Sequence, residues 1–244
     1  MLLSVFVARH SYVVGFDLPA FQDQLTTQTW GRPLHHFEVL DSTNTTLKEL
    51  VRQGAQPGTA VIASHQRAGR GQWGRAWESS TGGLYLSVAI APQIPADQTA
   101  QITVATIWGL ARLLRQHHIP VWLKWPNDVL VWGQKLGGML IEPHCQGQNV
   151  QSAVLGVGLN WHNPVPEQAI NLHQILRDLP SENAPSIYSL EQLAALTLLG
   201  MEQGYLEWQM QGIHAIIPEY LSLVKIYPPA SQPIRADLAK RLGL

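Results

Sequence analysis

A chain of 244 residues, 45% of them hydrophobic and only 14% charged, has room for one domain with a sizeable core, which excludes an intrinsically disordered protein. The formal net charge of −1 excludes a global field that would favour nucleic acid or an anionic membrane, so a bound nucleotide has to be held by a local cluster of charge. Cys145 is the only cysteine, which excludes an internal disulfide, and no apolar stretch approaches the roughly 18 residues that span a bilayer, so we expect a soluble, cytoplasmic protein.

Hydrophobic periodicity and turn residues predict strands and helices over most of the chain. In chain order they are a strand at residues 36–40, a helix at 44–53, strands at 59–64 and 84–90, a helix at 100–116, strands at 121–125, 129–132, 136–142 and 153–159, and helices at 189–211 and 213–223. A polar loop, residues 65–83, joins the second and third strands, and residues 162–186 are irregular. Short strands joined by tight turns predict an α/β (α+β) fold, with helices packed on a mixed, largely antiparallel sheet.

The long loop contains a literal G-x-G-x-x-G at residues 69–74. A dinucleotide fingerprint would need a helix after it and an acidic residue about 20 positions later, and a P-loop would need Lys-Ser or Lys-Thr where Arg75-Ala76 stands. Neither context is present. Glycines still let a backbone approach an anion, and the arginines of the loop suit phosphate oxygens. These arginines are Arg67, Arg70 and Arg75, and Trp73 or Trp77 is placed to stack on a planar base. A solvated surface loop is the alternative at this point.

Four segments in this order resemble the biotin–protein ligase family. They are Asp41-Ser42-Thr43-Asn44, residues 66–77, residues 124–128 (Lys-Trp-Pro-Asn-Asp) and residues 135–142, with Gly-Val-Gly-Leu-Asn at 156–160 as the following strand. The resemblance covers residues 37–220. It implies a catalytic domain related to the class II aminoacyl-tRNA synthetases. We therefore divide the chain into an N-terminal extension at residues 1–35, a biotin- and ATP-binding catalytic domain at 36–224 and a short tail at 225–244.

The resemblance implies a two-step reaction with ATP, biotin and Mg²⁺. The biotin carboxylate attacks the α-phosphate of ATP to give biotinyl-5'-AMP, and a lysine of a biotin carboxyl carrier protein, a subunit of acetyl-CoA carboxylase, then displaces AMP. Biotin supplies the nucleophile of the first step, so the protein has to orient the reactants and offset charge on phosphate oxygens. Because an acyl-adenylate hydrolyses readily, we expect the loop at residues 67–77 to be mobile without ligand and protected with biotin and ATP.

The resemblance also implies the residues of the site. Catalytic roles fall to Lys135, Arg70 and Asp128. Biotin binding falls to Ser42, Thr43, Asn44, Gln66, Arg70, Gly71, Gln72, Lys135, Gly137 and Gly138. ATP binding falls to Arg67, Arg70, Trp77, Asn127, Asp128, Lys135 and Asn160. Plainer roles stay open: a helix N-cap for Ser42 and Thr43, a turn for Asp128 and a β-bulge for the two glycines.

Two features depart from the family pattern. Gln72 stands where many relatives have an arginine that helps to retain the intermediate, so a leakier adenylate is one expectation. Residues 225–244 are too few for the SH3-like barrel of relatives, and residues 1–35 are too few and too little basic for the winged helix that some relatives use to repress genes. The alternatives are a non-catalytic or transfer-impaired biotin-binding relative and a lipoate or octanoate transferase of the same fold; a homodimer through strand edges stays open.

Overall fold

The computed structural model describes residues 15–179, 186–225 and 242. Within them the helices are α1 (Leu18–Gln24), α2 (Thr43–Arg52), α3 (Thr99–Gln116), α4 (Leu172–Asp178), α5 (Leu190–Gln211) and α6 (Ile213–Leu223). The strands are β1 (Leu34–Leu40), β2 (Ala60–Gln66), β3 (Leu84–Ile90), β4 (Ile94–Pro95), β5 (Trp122–Lys124), β6 (Asp128–Val131), β7 (Gln134–Gln146) and β8 (Asn149–Leu159). In this part of the chain, no helix combines the length and the apolar character that crossing a bilayer requires.

The strands form one mixed sheet in the order β1-β2-β3-β8-β7-β6-β5, and β4 pairs with β8 outside this path. Only β1 and β2 pair in parallel, because α2 crosses between them, and every other neighbouring pair is antiparallel. The largely antiparallel sheet predicted from the sequence is confirmed.

Strand alternation gives the sheet two different faces. On one face lies the main core, to which β8 contributes Leu155 and Val157 and which α3 and α5 cover. On the other face α2 packs through Leu47 against a smaller cluster that includes Val154. The helical layer is tight because α3 and α5 meet backbone to backbone: a Cβ at Gly204 would lie 2.1 Å from the carbonyl oxygen of Ala105. That layer leaves the α2 face free for a site.

Two short helices lie where the sequence pattern showed none. The described part of the predicted N-terminal extension contains α1, whose first turn is capped by Asp17, and Phe21 is buried in the main core. The stretch predicted to be irregular contains α4, which begins at a capping box between Asn171 and Gln174. That second prediction was wrong, because seven residues are too few for a visible hydrophobic period and the cap supplies the helix start. The predicted tail lies mostly outside the described residues.

Candidate functional site

The α2 face carries a cavity of about 370 Å³. It lies between the start of α2, the glycine loop (residues 69–77), the β5–β6 turn and strands β7 and β8. The sequence-predicted residues that line it are Ser42, Thr43, Asn44, Gln66, Arg70, Gly71, Gln72, Trp77, Asn127, Asp128, Lys135 and Gly138. These residues come from four separate segments of the chain. The fold therefore brings the segments together at one place.

Three predicted residues do not line this cavity. Arg67 lies at the surface, where its guanidinium is 3.6 Å from the carboxylate of Asp41. Gly137 faces away, because it alternates with Gly138 along β7. Asn160 is buried, and its amide donates to the carbonyl oxygen of Lys135 at 3.3 Å. A role of Asn160 toward ATP would therefore be exerted through the backbone that carries Lys135.

The start of α2 forms the neutral end of the cavity. Ser42 occupies the N-cap position, but its side chain makes no capping hydrogen bond. The side-chain oxygen of Gln66 instead accepts the backbone N–H of Thr43 at 2.8 Å. The hydroxyl of Ser87, a residue that the sequence pattern did not single out, lies 2.7 Å from the hydroxyl of Thr43 and 2.6 Å from Oδ1 of Asn44. Buried hydroxyl and amide groups thus line this end.

The glycine loop is a short hairpin. The N–H of Trp77 donates to the carbonyl oxygen of Gly69 at 2.9 Å, and the N–H of Gly71 donates to that of Arg75 at 2.8 Å. Gly69 has to be glycine, since a Cβ there would lie 2.4 Å from both Trp77 O and the hydroxyl of Ser79. The hairpin places its arginines at the rim of the cavity.

Lys135 and Asp128 form an ion pair inside the cavity, with 2.7 Å between Nζ and Oδ1. The same ammonium lies 5.1 Å from the centroid of the Trp77 ring. Asn127 holds the turn that carries Asp128, because its carbonyl oxygen accepts the N–H of Met139 at 3.0 Å and its amide donates back to the Met139 carbonyl. Strand β7 therefore fixes the positions of both Lys135 and Asp128 in the cavity.

The charge of the lining residues is strongly one-sided. Four cationic side chains, Arg70, Arg75, Lys124 and Lys135, face one carboxylate, Asp128. Such a surplus favours an anionic ligand, and arginine forks fit phosphate or carboxylate oxygens. Because the other end is neutral and polar, the cavity suits a ligand with amide-like groups at one end and anionic groups at the other.

The structure adds a carboxylate that the site prediction missed, that of Glu142 on β7. Its oxygens accept from Lys48 Nζ at 2.6 Å and Asn44 Nδ2 at 2.7 Å, and Arg70 lies 3.2 Å away. Burial acts to raise the pKa of Glu142, but the hydrogen bonds from Lys48 and Asn44 and the positive charges of Lys48 and Arg70 lower it below its ordinary value. Glu142 and Gly138 fall on the same face of β7 because side chains alternate along a strand. This alternation was the signal in the sequence that could have identified Glu142.

Comparisons with known proteins agree on one group of enzymes. The model of the biotin/lipoate A/B protein ligase family matches residues 36–160. The chain is 35% identical over 175 residues to the bifunctional ligase/repressor BirA of Bacillus subtilis. The aligned residues make up 70% of this chain and 50% of that protein. It is 35% identical over 123 residues to the biotin–acetyl-CoA-carboxylase ligase of Paracoccus denitrificans, which covers 49% of this chain and 51% of that protein.

Among solved structures, the biotin protein ligase from Aquifex aeolicus in complex with biotin and ATP matches with a TM-score of 0.65 and 25% sequence identity, covering 78% of both chains. This likeness extends over most of the described sheet and helices. The chain spans about half the length of the curated relatives it matches.

Proposed function

Since this chain belongs to the biotin/lipoate A/B protein ligase family, we propose that it is a biotin–protein ligase. It joins biotin to AMP at the expense of ATP and passes the biotinyl group to a lysine of a biotin carboxyl carrier protein, a subunit of acetyl-CoA carboxylase. The relative named as a biotin–acetyl-CoA-carboxylase ligase supports this assignment. The observation that carries it is the meeting of four separate segments at one cavity with a neutral polar end and a cationic end.

The neutral end suits the ureido ring of biotin, which offers one strong acceptor and two N–H donors. Ser42 and Thr43 supply hydroxyl groups there, and Gln66 fixes the start of the helix that presents them. Gly138 lines the cavity without a side chain, so a ligand can lie against the backbone of β7. A Cβ at this position would also crowd Oδ1 of Asp128, at 3.1 Å. The ring would then be oriented by groups that are already held in place, which lowers the entropy cost of binding.

The cationic end suits the reacting groups of the first step. An oxygen of the biotin carboxylate forms a bond to the α-phosphorus as the bond to pyrophosphate breaks, and negative charge builds on the phosphate oxygens. We assign to Lys135 and Arg70 the task of offsetting that charge, since both line the cavity. The protein contributes orientation and electrostatic stabilisation and needs no covalent nucleophile of its own.

In the second step the amine of the carrier lysine attacks the acyl carbon and AMP leaves. We assign to Asp128 the orientation of this amine, since its carboxylate lines the cavity and already holds an ammonium group, that of Lys135, at 2.7 Å. The incoming lysine would meet the same carboxylate from the open side. The leaving AMP keeps its charge against the arginines of the loop.

The donor set also fits Mg²⁺. This ion is usually held by one or two carboxylates together with substrate phosphates. Across the described residues no group of three or more histidine, cysteine, aspartate or glutamate side chains is arranged to hold a metal, whereas Asp128 offers one carboxylate at the cavity. An ion that enters with ATP would contact this carboxylate and neutralise charge on the phosphates.

One assay tests the proposal. The chain is incubated with ATP, Mg²⁺ and labelled biotin, with and without a biotin carboxyl carrier protein. We expect labelled biotinyl-5'-AMP in both reactions and protein-bound label only with the carrier. Biotin binding without either product would instead indicate a non-catalytic relative, adenylate without transfer would indicate a transfer-impaired one, and a preference for lipoate would indicate the transferase alternative.

A second measurement tests how the intermediate is protected. Hydrogen exchange of residues 67–77 should slow when biotin and ATP are both bound, because the loop then covers the acyl-adenylate and excludes water. The short hairpin within these residues gives the reference level of protection without ligand. Equal protection in both states would contradict the covering role of the loop.

A further inference from the structure

The carboxylate of Glu142 ties together two of the segments that build the cavity. Its side chain is only 13% exposed. Asn44 and Lys48 reach it from α2, and Arg70 reaches it from the glycine loop. The partners on α2 are 98 and 94 positions away in the chain. Both Asn44 and Arg70 line the cavity, whereas Glu142 does not. Glu142 therefore holds two lining side chains from outside the cavity.

The carboxylate fixes which way the amide of Asn44 points. An ionised carboxylate only accepts hydrogen bonds, so Asn44 has to turn Nδ2 toward Glu142 and Oδ1 toward Ser87. The hydroxyl of Ser87 has one hydrogen, so when it donates to Asn44 it can only accept from the hydroxyl of Thr43, 2.7 Å away. The Thr43 hydroxyl also lies 3.2 Å from Oε1 of Gln66, which is a second acceptor for its hydrogen. The carboxylate therefore sets the direction of the hydrogen bond between Asn44 and Ser87, and through Ser87 it acts on the hydroxyl of Thr43.

The position of the Asn44 amide is restricted by strand β8. It lies flat against β8, where a Cβ at Gly156 would come 2.1 Å from Oδ1 of Asn44. In this position the remaining freedom of the amide is a flip that exchanges Oδ1 and Nδ2. The acceptor at Glu142 is what decides between the two orientations.

The same carboxylate holds Arg70 without cancelling its charge. The side chain of Arg70 is half exposed at 52%, so its guanidinium needs a tether to stay at the rim of the cavity. Lys48 shares the oxygen that Arg70 contacts, at 2.6 Å. With two cations on one carboxylate, positive charge remains for an anionic ligand, and a guanidinium has further N–H groups to offer it.

We propose that Glu142 is a positioning residue for biotin: it orients Asn44 and, through it, Thr43 at the neutral end, and it holds Arg70 at the cationic end. This rests on the proposed function for the identity of the ligand. Glu142 acts through the three residues and not on the reacting atoms. Its loss should therefore raise the biotin concentration that the enzyme requires more than it slows the bound reactants.

The test compares Glu142→Gln with Glu202→Gln. Glu202 is a buried carboxylate on α5 that, among the described residues, accepts hydrogen bonds from the segment at residues 28–30 and lies outside the cavity. For Glu142→Gln we expect the KM and the Kd for biotin to rise about 10-fold to 100-fold, the range for a lost charged hydrogen bond. The KM for ATP should rise less than the KM for biotin, because of the three positioned residues only Arg70 faces the phosphates, and Arg70→Gln combined with Glu142→Gln should be non-additive. Glu202→Gln should lose stability while the folded enzyme keeps its KM for biotin.

A measurement without ligand tests this proposal independently of the proposed function. Hydrogen exchange at residues 69–77 should quicken in Glu142→Gln, because the loop loses its tether to β7. If Glu142→Gln does not fold, Glu142→Asp keeps the charge but withdraws it by one methylene group and should raise both the exchange rate and the KM for biotin. Unchanged exchange together with an unchanged KM for biotin would overturn the proposal. If the parent chain makes no adenylate, the proposed function fails, and the exchange rates still decide whether Glu142 positions the loop.

Discussion

Two carboxylates on opposite sides of the sheet, Glu202 buried and Glu142 partly buried, accept hydrogen bonds from different kinds of donor. Glu202 on α5 is 2% exposed and accepts the backbone N–H groups of Gln28, Thr29 and Trp30 at 2.7, 2.8 and 2.9 Å. Glu142 on β7 accepts from side chains instead. Both satisfy the rule that a buried charge needs partners.

The kind of donor decides what each carboxylate can do. A backbone N–H that bonds to Glu202 has nothing left to offer, so this carboxylate fixes the path of the chain and holds residues 28–30 against the helical layer. A side-chain donor keeps other groups free: Asn44 still has an oxygen, and Arg70 still has further N–H groups. The comparison predicts that one carboxylate serves stability and the other serves binding.

The largest effect should come from Lys135, which lies next to the reacting groups themselves. Lys135→Met removes the ammonium group but keeps the length of the side chain, and adenylate formation should slow by about 100-fold to 1,000-fold, as when one stabilising donor is lost from a transition state. Single-turnover measurement of biotinyl-5'-AMP checks this. Arg67→Met is the control, because Arg67 pairs with Asp41 at the surface and should matter less than about 2-fold. An equal effect of both variants would contradict the geometry of the cavity.

Glu202→Ala should give the largest loss of stability. It leaves buried backbone N–H groups without an acceptor, and we expect the free energy of unfolding to fall by about 3 kcal/mol, which lowers Tm by roughly 6 to 12 °C for a domain of this size. Thermal unfolding measures this. Glu191→Ala is a matched control on the same helix, because Glu191 accepts the N–H of Asp17 at an exposed position, and it should cost about 0.5 kcal/mol or less. A normal Tm for Glu202→Ala would break the comparison.

The sequence accounts for this molecule unevenly. Strand β3 and helix α6 have the predicted bounds, because each has a clear apolar pattern between turn residues. Helices α1 and α4 depend on capping and on tertiary contacts, which a seven-residue pattern does not reveal. The motifs predicted a common site, yet no local pattern links Glu142 to Asn44 across 98 positions. Which of two adjacent glycines faces the cavity is likewise set by strand register and not by composition.

A smaller effect is expected at Gln72, which lines the cavity on the same loop as Arg70. An arginine here would add a cation without removing a tether, so Gln72→Arg should slow the release of biotinyl-5'-AMP by about 10-fold, the value of one charge-assisted hydrogen bond. Release can be followed by adding excess unlabelled biotin, which occupies the vacated site and prevents labelled adenylate from rebinding. Gln72→Met, which lacks both charge and hydrogen bonds, is the control and should release the intermediate at least as fast as the parent. Equal retention by both variants would show that charge at this position is unimportant.

The smallest expected effect is on the pH dependence of stability. The pKa of Glu142 is lowered in the folded protein from the ordinary value of 4.5, because the hydrogen bonds from Lys48 and Asn44 and the charges of Lys48 and Arg70 outweigh the opposing effect of burial. A lowered folded-state pKa contributes stability that is fully present above the ordinary value and is lost as the pH falls through it toward the lower one. Urea unfolding gives the free energy of unfolding of the parent and of Glu142→Gln at each pH. The two free energies should approach each other as the pH falls below about 4.5. If the difference between the two free energies stays constant with pH, the carboxylate gains nothing from its partners on folding, and the distinction between Glu142 and Glu202 would then rest on their donors alone.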